Sequence, residues 1–177
     1  MARIITPPIF TSIEVCWRRC FVNCHLIFSF LLVCLFVVPA SAFPAKVIKT
    51  TDGDTITVLT PTYQQIRVRL YGIDCPERRQ PFGTVATRFV RERVAGKEVE
   101  VTVMGTDRYG RTIGLVGDLN QALLEAGLAW VYPQYCRKPF CRDWKRIEAQ
   151  VREAGRGLWQ DTNPIPPWDW RKSKNRK

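Results

Sequence analysis

Histidine is almost missing from this 177-residue chain; the one imidazole is His25. His25 lies in an N-terminal segment that reads as removable. The rest of the chain then has no imidazole for acid–base work or for binding zinc, and such chemistry must run on carboxylates, arginines, tyrosines and a hard metal ion. Long apolar runs are also lacking. The most apolar block, Leu26–Val38, holds 13 residues, against the roughly 20 that a membrane-spanning helix needs. No internal repeat is visible.

What the N-terminal segment does have is the layout of an export signal. Arg18 and Arg19 precede the apolar block, and Pro39-Ala40-Ser41-Ala42 follows it with the small side chains that signal peptidase accepts. The expectation is cleavage after Ala42, giving a signal peptide at 1–42, a folded domain at 43–160 and a tail at 161–177. The destination is secreted or periplasmic, with no stable membrane insertion after cleavage. The alternative is an uncleaved anchor, which the mass of the mature N-terminus separates. A lipoprotein is disfavoured, because Val33 stands before Cys34 where lipid attachment needs a small residue.

Removal of 1–42 leaves 24 basic and 15 acidic side chains, a net +9. That excess suits a polyanionic partner, although it also serves solubility. Cys16, Cys20, Cys24 and Cys34 leave with the signal, and Cys75, Cys136 and Cys141 remain. In an oxidising compartment Cys136 and Cys141 are near enough in sequence to bridge a short loop, worth about 2 kcal/mol on the loop-entropy argument. Zinc is the rival use of these thiols, and three thiols without histidine make a poor zinc site.

Alternating and β-branched stretches predict five strands, at Ala45–Thr50, Thr55–Leu59, Gln65–Tyr71, Glu98–Val103 and Thr112–Val116. Val85, Phe89, Val90 and Val94 recur at helical spacing between the third and fourth. Leu119, Ala122, Leu123 and Ala126 mark a second helix ended by Gly127, and Trp144, Ile147, Val151 and Ala154 a third that stops near Gly155 or Gly157. The order β-β-β-α-β-β-α-α is that of a five-stranded OB barrel with three helices, an α+β arrangement; an open β-rich α+β sheet fits the same order. From Asn163 the prolines at 164, 166 and 167 argue for an extended tail, pinned by Trp168 or Trp170, with Arg171–Lys177 a disordered, solubilising end.

Three segments hold the charged residues that could do chemistry. Asp52-Gly53-Asp54-Thr55 taken alone is a hairpin turn, and taken functionally places carboxylates at a strand mouth. In Val68-Arg69-Leu70-Tyr71-Gly72-Ile73-Asp74-Cys75-Pro76-Glu77, an arginine sits in an otherwise apolar strand. Its guanidinium must face an anion, a polar cavity or a structural ion pair. Asp107-Arg108-Tyr109-Gly110-Arg111 alone is a solvated charged turn before the fifth strand.

Together, and in this order, Asp-Gly-Asp-Thr, Arg-Leu-x-Gly-Ile-Asp-x-Pro-Glu and Asp-Arg-Tyr-Gly-Arg resemble the staphylococcal nuclease (thermonuclease) family. The stretch Asn120-Gln121-x-Leu123-x4-Leu128-Ala129 and the ending Arg156-Gly157-Leu158-Trp159 look like that family's helical half, so the resemblance runs from about Lys46 to Trp159. It implies a site residue by residue. Asp54, Asp74 and the main-chain carbonyl of Cys75 would hold one calcium ion. The family usually has threonine at the Cys75 position, a change that a backbone ligand tolerates. Glu77 matches the carboxylate assigned as general base, and Arg69 and Arg111 the guanidiniums that grip the phosphate. Arg108, Tyr109 and Tyr135 look like its nucleotide-binding rim, with the tyrosines of Val131–Tyr135 aligned only approximately; a packed or merely exposed tyrosine is the plainer reading there.

The resemblance thus implies a calcium-dependent endonuclease acting on DNA, and by extension RNA, with little sequence specificity and leaving 3′-phosphates and 5′-hydroxyls. The export signal makes it a secreted one, and a monomer is the default, since no extra helix or heptad speaks for assembly. The alternative is a non-catalytic OB module that binds single-stranded nucleic acid or a protein partner. Asp54, Asp74, Glu77, Arg69 and Arg111, all present, favour the enzyme.

Overall fold

The computed structural model describes residues 41–174. The expected signal peptide lies outside them except for Ser41 and Ala42, as do residues 175–177. In chain order the elements are β1 (Ala42–Thr50), β2 (Thr55–Leu59), β3 (Gln65–Leu70), β4 (Ile73–Asp74), α1 (Gly83–Val94), β5 (Glu98–Thr106), β6 (Thr112–Val116), α2 (Leu119–Glu125), β7 (Trp130–Val131), α3 (Cys141–Glu153), a 3-10 turn (Gly157–Gln160) and α4 (Pro167–Lys174).

Five strands close a barrel in the order β1-β2-β3-β6-β5. All neighbours are antiparallel except β3 and β6, which run parallel. Alternation fills the inside: Ala45, Val47, Ile56, Val58, Val68, Leu70, Val101 and Val116 are buried. Register shifts at Val47/Lys49 in β1 and Val103/Gly105 in β5 let these strands bend around the closure. α1, between β3 and β5, turns Ala86, Val90 and Val94 into the same core. This is the OB-type α+β architecture, closed rather than an open sheet.

The helical half is fastened by polar contacts and one close backbone approach. Buried Asn120 accepts from the Val116 N–H and donates to the carbonyls of Tyr71 and Gly114, tying α2 to β6 and to the end of β3. Gly127 ends α2 at a positive φ of 65°, and a Cβ there would lie 2.3 Å from the Arg156 carbonyl oxygen. Only glycine allows that approach, which seats the 3-10 turn on the end of α2 through the Leu158 N–H to Gly127 bond. A disulfide joins Cys136 to Cys141 at the start of α3, with Cα atoms 5.7 Å apart.

The structure departs from expectation in three places. β1 starts at Ala42, paired with Thr102 of β5, so cleavage after Ala42 would leave Phe43 as the first strand residue. The two-residue strands β4 and β7 pair with each other, Asp74 opposite Trp130. The third departure is the tail. There are four α-helices among the described residues, not three, and Pro167–Lys174 is neither extended nor a disordered end as far as Lys174. The prolines misled because Pro167 is the first helical residue, where no N–H is needed and the fixed φ suits a helix. Asp169 in the first turn and Arg171, Lys172 and Lys174 in the last complement the helix dipole. Trp168 does pin this tail, stacked on Tyr132 at 5.0 Å and 9° between planes.

Candidate active site

The polar corner of the molecule forms where β2 begins and β3 runs into β4. Val68 and Leu70 point into the barrel, so alternation sends Arg69 out of its wall. There its guanidinium meets two acids: Nη1 pairs with Asp54 Oδ1, and Nη2 lies 2.6 Å from Asp74 Oδ1. Both acids are buried, Asp74 completely. The other Asp54 oxygen accepts the Cys75 N–H at 2.9 Å. Burial pushes the Asp54 carboxyl up to about 7 although Arg69 opposes the shift. Burial works against the charge of Arg69 too, yet Asp54 and Asp74 outweigh it and hold the guanidinium above its ordinary value.

Gly53 makes this corner possible by close approach. A Cβ there would fall 2.7 Å from Cys75 Cβ and 2.9 Å from Ala86 Cβ, so any other residue would push the Asp52–Asp54 segment off α1 and the β4 exit. The Cys75 thiol is buried, donates to the Gly53 carbonyl at 3.1 Å, and is held well above the ordinary thiol range by that burial.

Glu77 stands beside the same cluster on a tight turn. Its N–H donates to the Gln80 side chain and its carbonyl accepts the Gln80 N–H. Gly83 closes the turn against α1, since a Cβ there would lie 1.9 Å from the Glu77 carbonyl oxygen. The Glu77 side chain is 43% exposed. Its partner is Arg171 of α4: Nη1 lies 2.8 Å from Glu77 Oε1, while Nη2 lies 2.7 Å from Asp74 Oδ2. Sequence reasoning missed Arg171. The available signal was Pro167 followed by Trp168, Asp169 and Trp170, a helix start carrying aromatic anchors.

The turn before β6 forms a separate, more open cluster. Asp107 Oδ1 accepts the N–H groups of Tyr109 and Arg111, and Oδ2 accepts Arg111 Nε at 2.7 Å. Arg69 pairs with Ile113 across the parallel β3–β6 ladder, so Arg111, two residues earlier, lies on the same side of the wall as Arg69. The Arg108 guanidinium covers the Tyr109 ring at 4.8 Å and donates to its hydroxyl. Tyr109 is 69% exposed. Tyr135 is exposed as well, but packs edge-on against Tyr132 in an aromatic series that continues through Trp168 and Trp130 to Trp159. Of these rings Trp130 is the one set directly opposite Asp74.

The donor set fits a hard cation. Among the described residues no three His, Cys, Asp or Glu side chains gather to hold a metal by themselves. Asp54 and Asp74 supply carboxylate oxygens, and no donor among the described residues reaches the Cys75 carbonyl. Two carboxylates and one carbonyl are all-oxygen, as calcium prefers, and leave several of its six to eight positions, roughly, for water or phosphate. The buried acids also require positive charge nearby, which guanidiniums provide here.

A barrel of this topology with acids and arginines at one corner is the SNase-like OB class. Residues 67–161 match the family model described as "Staphylococcal nuclease homologue". An Escherichia coli O157:H7 protein named "Uncharacterized endonuclease" is 41% identical over 134 residues, covering 73% of this chain and 85% of that one. A Shigella flexneri protein named "Micrococcal nuclease" is 39% identical, over 81% of this chain and 90% of its own. A Haemophilus influenzae protein named "Uncharacterized endonuclease" is 37% identical over 73% of each chain. The chain belongs to the staphylococcal nuclease homologue family.

Proposed function

We propose that this protein is an exported, calcium-dependent endonuclease that hydrolyses phosphodiester bonds of DNA and RNA with little sequence specificity. The observation that carries this reading is the meeting of Asp54, Asp74, Glu77 and Arg69 in one corner, on the side of the barrel wall that also carries Arg111. Acids and guanidiniums in that arrangement suit attack of water on a phosphodiester better than simple binding of a strand.

Asp54, Asp74 and the Cys75 carbonyl would hold the calcium ion, which supplies positive charge beside a phosphate oxygen. Glu77, with its side chain partly open to solvent, takes the proton of the attacking water. Arg69 carries five N–H groups and gives only two to Asp54 and Asp74. Those left over, with the guanidinium of Arg111 that Asp107 holds in place, stabilise the extra negative charge that develops as phosphorus becomes five-coordinate. Arg108 and Tyr109 form an exposed rim for a neighbouring phosphate and base.

The test is nicking of closed circular DNA with calcium and with chelator, with Glu77→Gln as control. Calcium-dependent nicking that falls sharply in the control is the expected result. Tight binding of single strands with no cutting in any divalent ion would discard the nuclease and leave a binding module.

A further inference from the structure

Arg171 takes up the oxygens that the reading above assigns to metal and base. One of its nitrogens lies 2.7 Å from Asp74 Oδ2, and the other reaches Asp74 Oδ1 at 3.3 Å and Glu77 Oε1 at 2.8 Å. Asp74 Oδ1 also receives Arg69. Both oxygens of a fully buried carboxylate are therefore already satisfied by guanidiniums. A calcium ion would sit about 2.3–2.6 Å from such an oxygen, where it competes with Arg171 for the same lone pairs and repels its charge.

Of the two arginines on Asp74, Arg171 is the one free to yield. Arg69 belongs to the barrel wall, paired on both sides through Thr55 and Ile113, and its side chain is 19% exposed. Arg171 rides on a short terminal helix, and its side chain is 39% exposed. Side-chain packing holds that helix: buried Pro167, the Trp168 stack on Tyr132 and the edge of Trp130, Trp170 with its indole nitrogen buried, a Gln80 hydrogen bond to the Ile165 carbonyl just before it, and Arg171 itself. Among the described residues no backbone hydrogen bond ties it to the barrel. An element outside the strand ladder, held by side chains alone, opens without disturbing the barrel.

We propose that Arg171 is a tethered counter-cation for Asp74 and Glu77, given up when a divalent ion binds, so that metal loading and docking of α4 oppose each other. The inference rests on the metal site proposed above. Release of Arg171 also frees Glu77, which links availability of the base to the presence of metal. Because the coupling is an equilibrium property it is reciprocal: whatever factor the docked helix takes from metal affinity, metal takes from docking.

The experiment is a calorimetric titration of calcium into the full chain without nucleic acid, for the wild type, Arg171→Gln, Trp168→Ala and Arg79→Gln. Hydrogen exchange of the α4 amides is followed in parallel, with and without calcium. Arg171→Gln should tighten calcium binding by about tenfold, inside the roughly 5–150-fold range usual for coupled sites. Trp168→Ala keeps the charge and loosens only the tether, so it should tighten binding as well. Arg79→Gln removes a charge that lines the same groove as Glu77 and Arg171 but forms no ion pair with Asp74 or Glu77, and should change it far less. In the wild type, calcium should speed exchange across α4. Equal affinities for wild type and Arg171→Gln, with α4 exchange unmoved by calcium, would overturn the latch and leave the metal site standing. Weaker binding by Arg171→Gln would overturn it too, by making Arg171 part of the loaded site. No calcium binding by any variant would discard the latch and the metal site together.

Discussion

Two aspartate–arginine pairs on one side of the same barrel behave in opposite ways. Asp54 with Arg69 is buried at the β2–β3 corner, and burial lifts its carboxyl to about 7 in spite of the arginine. Asp107 with Arg111 lies in an open turn. Burial raises Asp107 too, but hydrogen bonds from the Arg111 backbone and side chain and from the Tyr109 backbone outweigh it and hold the carboxyl below its ordinary value. The residues are alike, and the difference is the water removed from around them. In the first pair the arginine is needed to make the acid tolerable; in the second the acid serves to aim the arginine.

Cutting the buried pair should give the largest effect. Arg69→Ala leaves two buried acids without their shared partner, and should cost about 3–5 kcal/mol in chemical unfolding together with at least about 10²–10³ in turnover. If stability is untouched, the buried pair is not a support of the fold. Arg111→Ala should separate the two quantities: a loss of about 10²–10³ in nicking rate with less than about 1 kcal/mol in stability. Comparable unfolding by both variants would erase the contrast between the pairs.

A smaller effect tests the sign of the open pair. A carboxyl held below its ordinary value adds stability that is present above about pH 4 and is lost as pH falls through the lowered value. The stability gap between wild type and Asp107→Asn should therefore be full at neutral pH and close in acid. A gap that widens in acid would mean that the hydrogen bonds do not set the charge of Asp107. The smallest effect is expected at Glu148, which accepts the Val131 N–H at 2.8 Å and is raised by burial. A raised acid favours the fold below its unfolded value, near pH 4, and loses that contribution as pH climbs through the raised value. Glu148→Gln, which keeps the acceptor, should gain up to about 1 kcal/mol at neutral pH over wild type, with the gain fading toward pH 4. Unfolding curves at several pH values check both variants.

The barrel and the Arg69 corner were legible because their signals are local. Alternation marks the wall strands, and Asp54, Arg69, Asp74 and Glu77 lie within 24 consecutive residues. The β4–β7 pair was not legible, since two-residue strands carry no period. Arg171 was hidden for another reason: it reaches Asp74 across 97 residues, from a segment whose prolines read as a stop when one of them was a start. Tyr135 entered through its likeness to the family's nucleotide-binding rim; the ring series it joins, through Tyr132 and Trp168 to Trp130 opposite Asp74, depends on the β4–β7 pairing and was not readable from the sequence. Local pattern identifies the charged groups of the corner, while the ring or helix that covers them depends on distant packing.

Cys75 gives the acid corner a built-in label. The other described cysteines are bonded to each other, and Cys75 is 3% exposed, its thiol on the Gly53 carbonyl and its N–H on Asp54. In a chain cut to residues 43–177, which omits the four N-terminal cysteines, a thiol-reactive dye meets nothing to modify while the corner stays shut. The rate at which it attaches then reports opening of the corner, as the open population when reclosing is fast and as the opening rate when the dye reacts faster than the corner recloses, without substrate, metal or mutation.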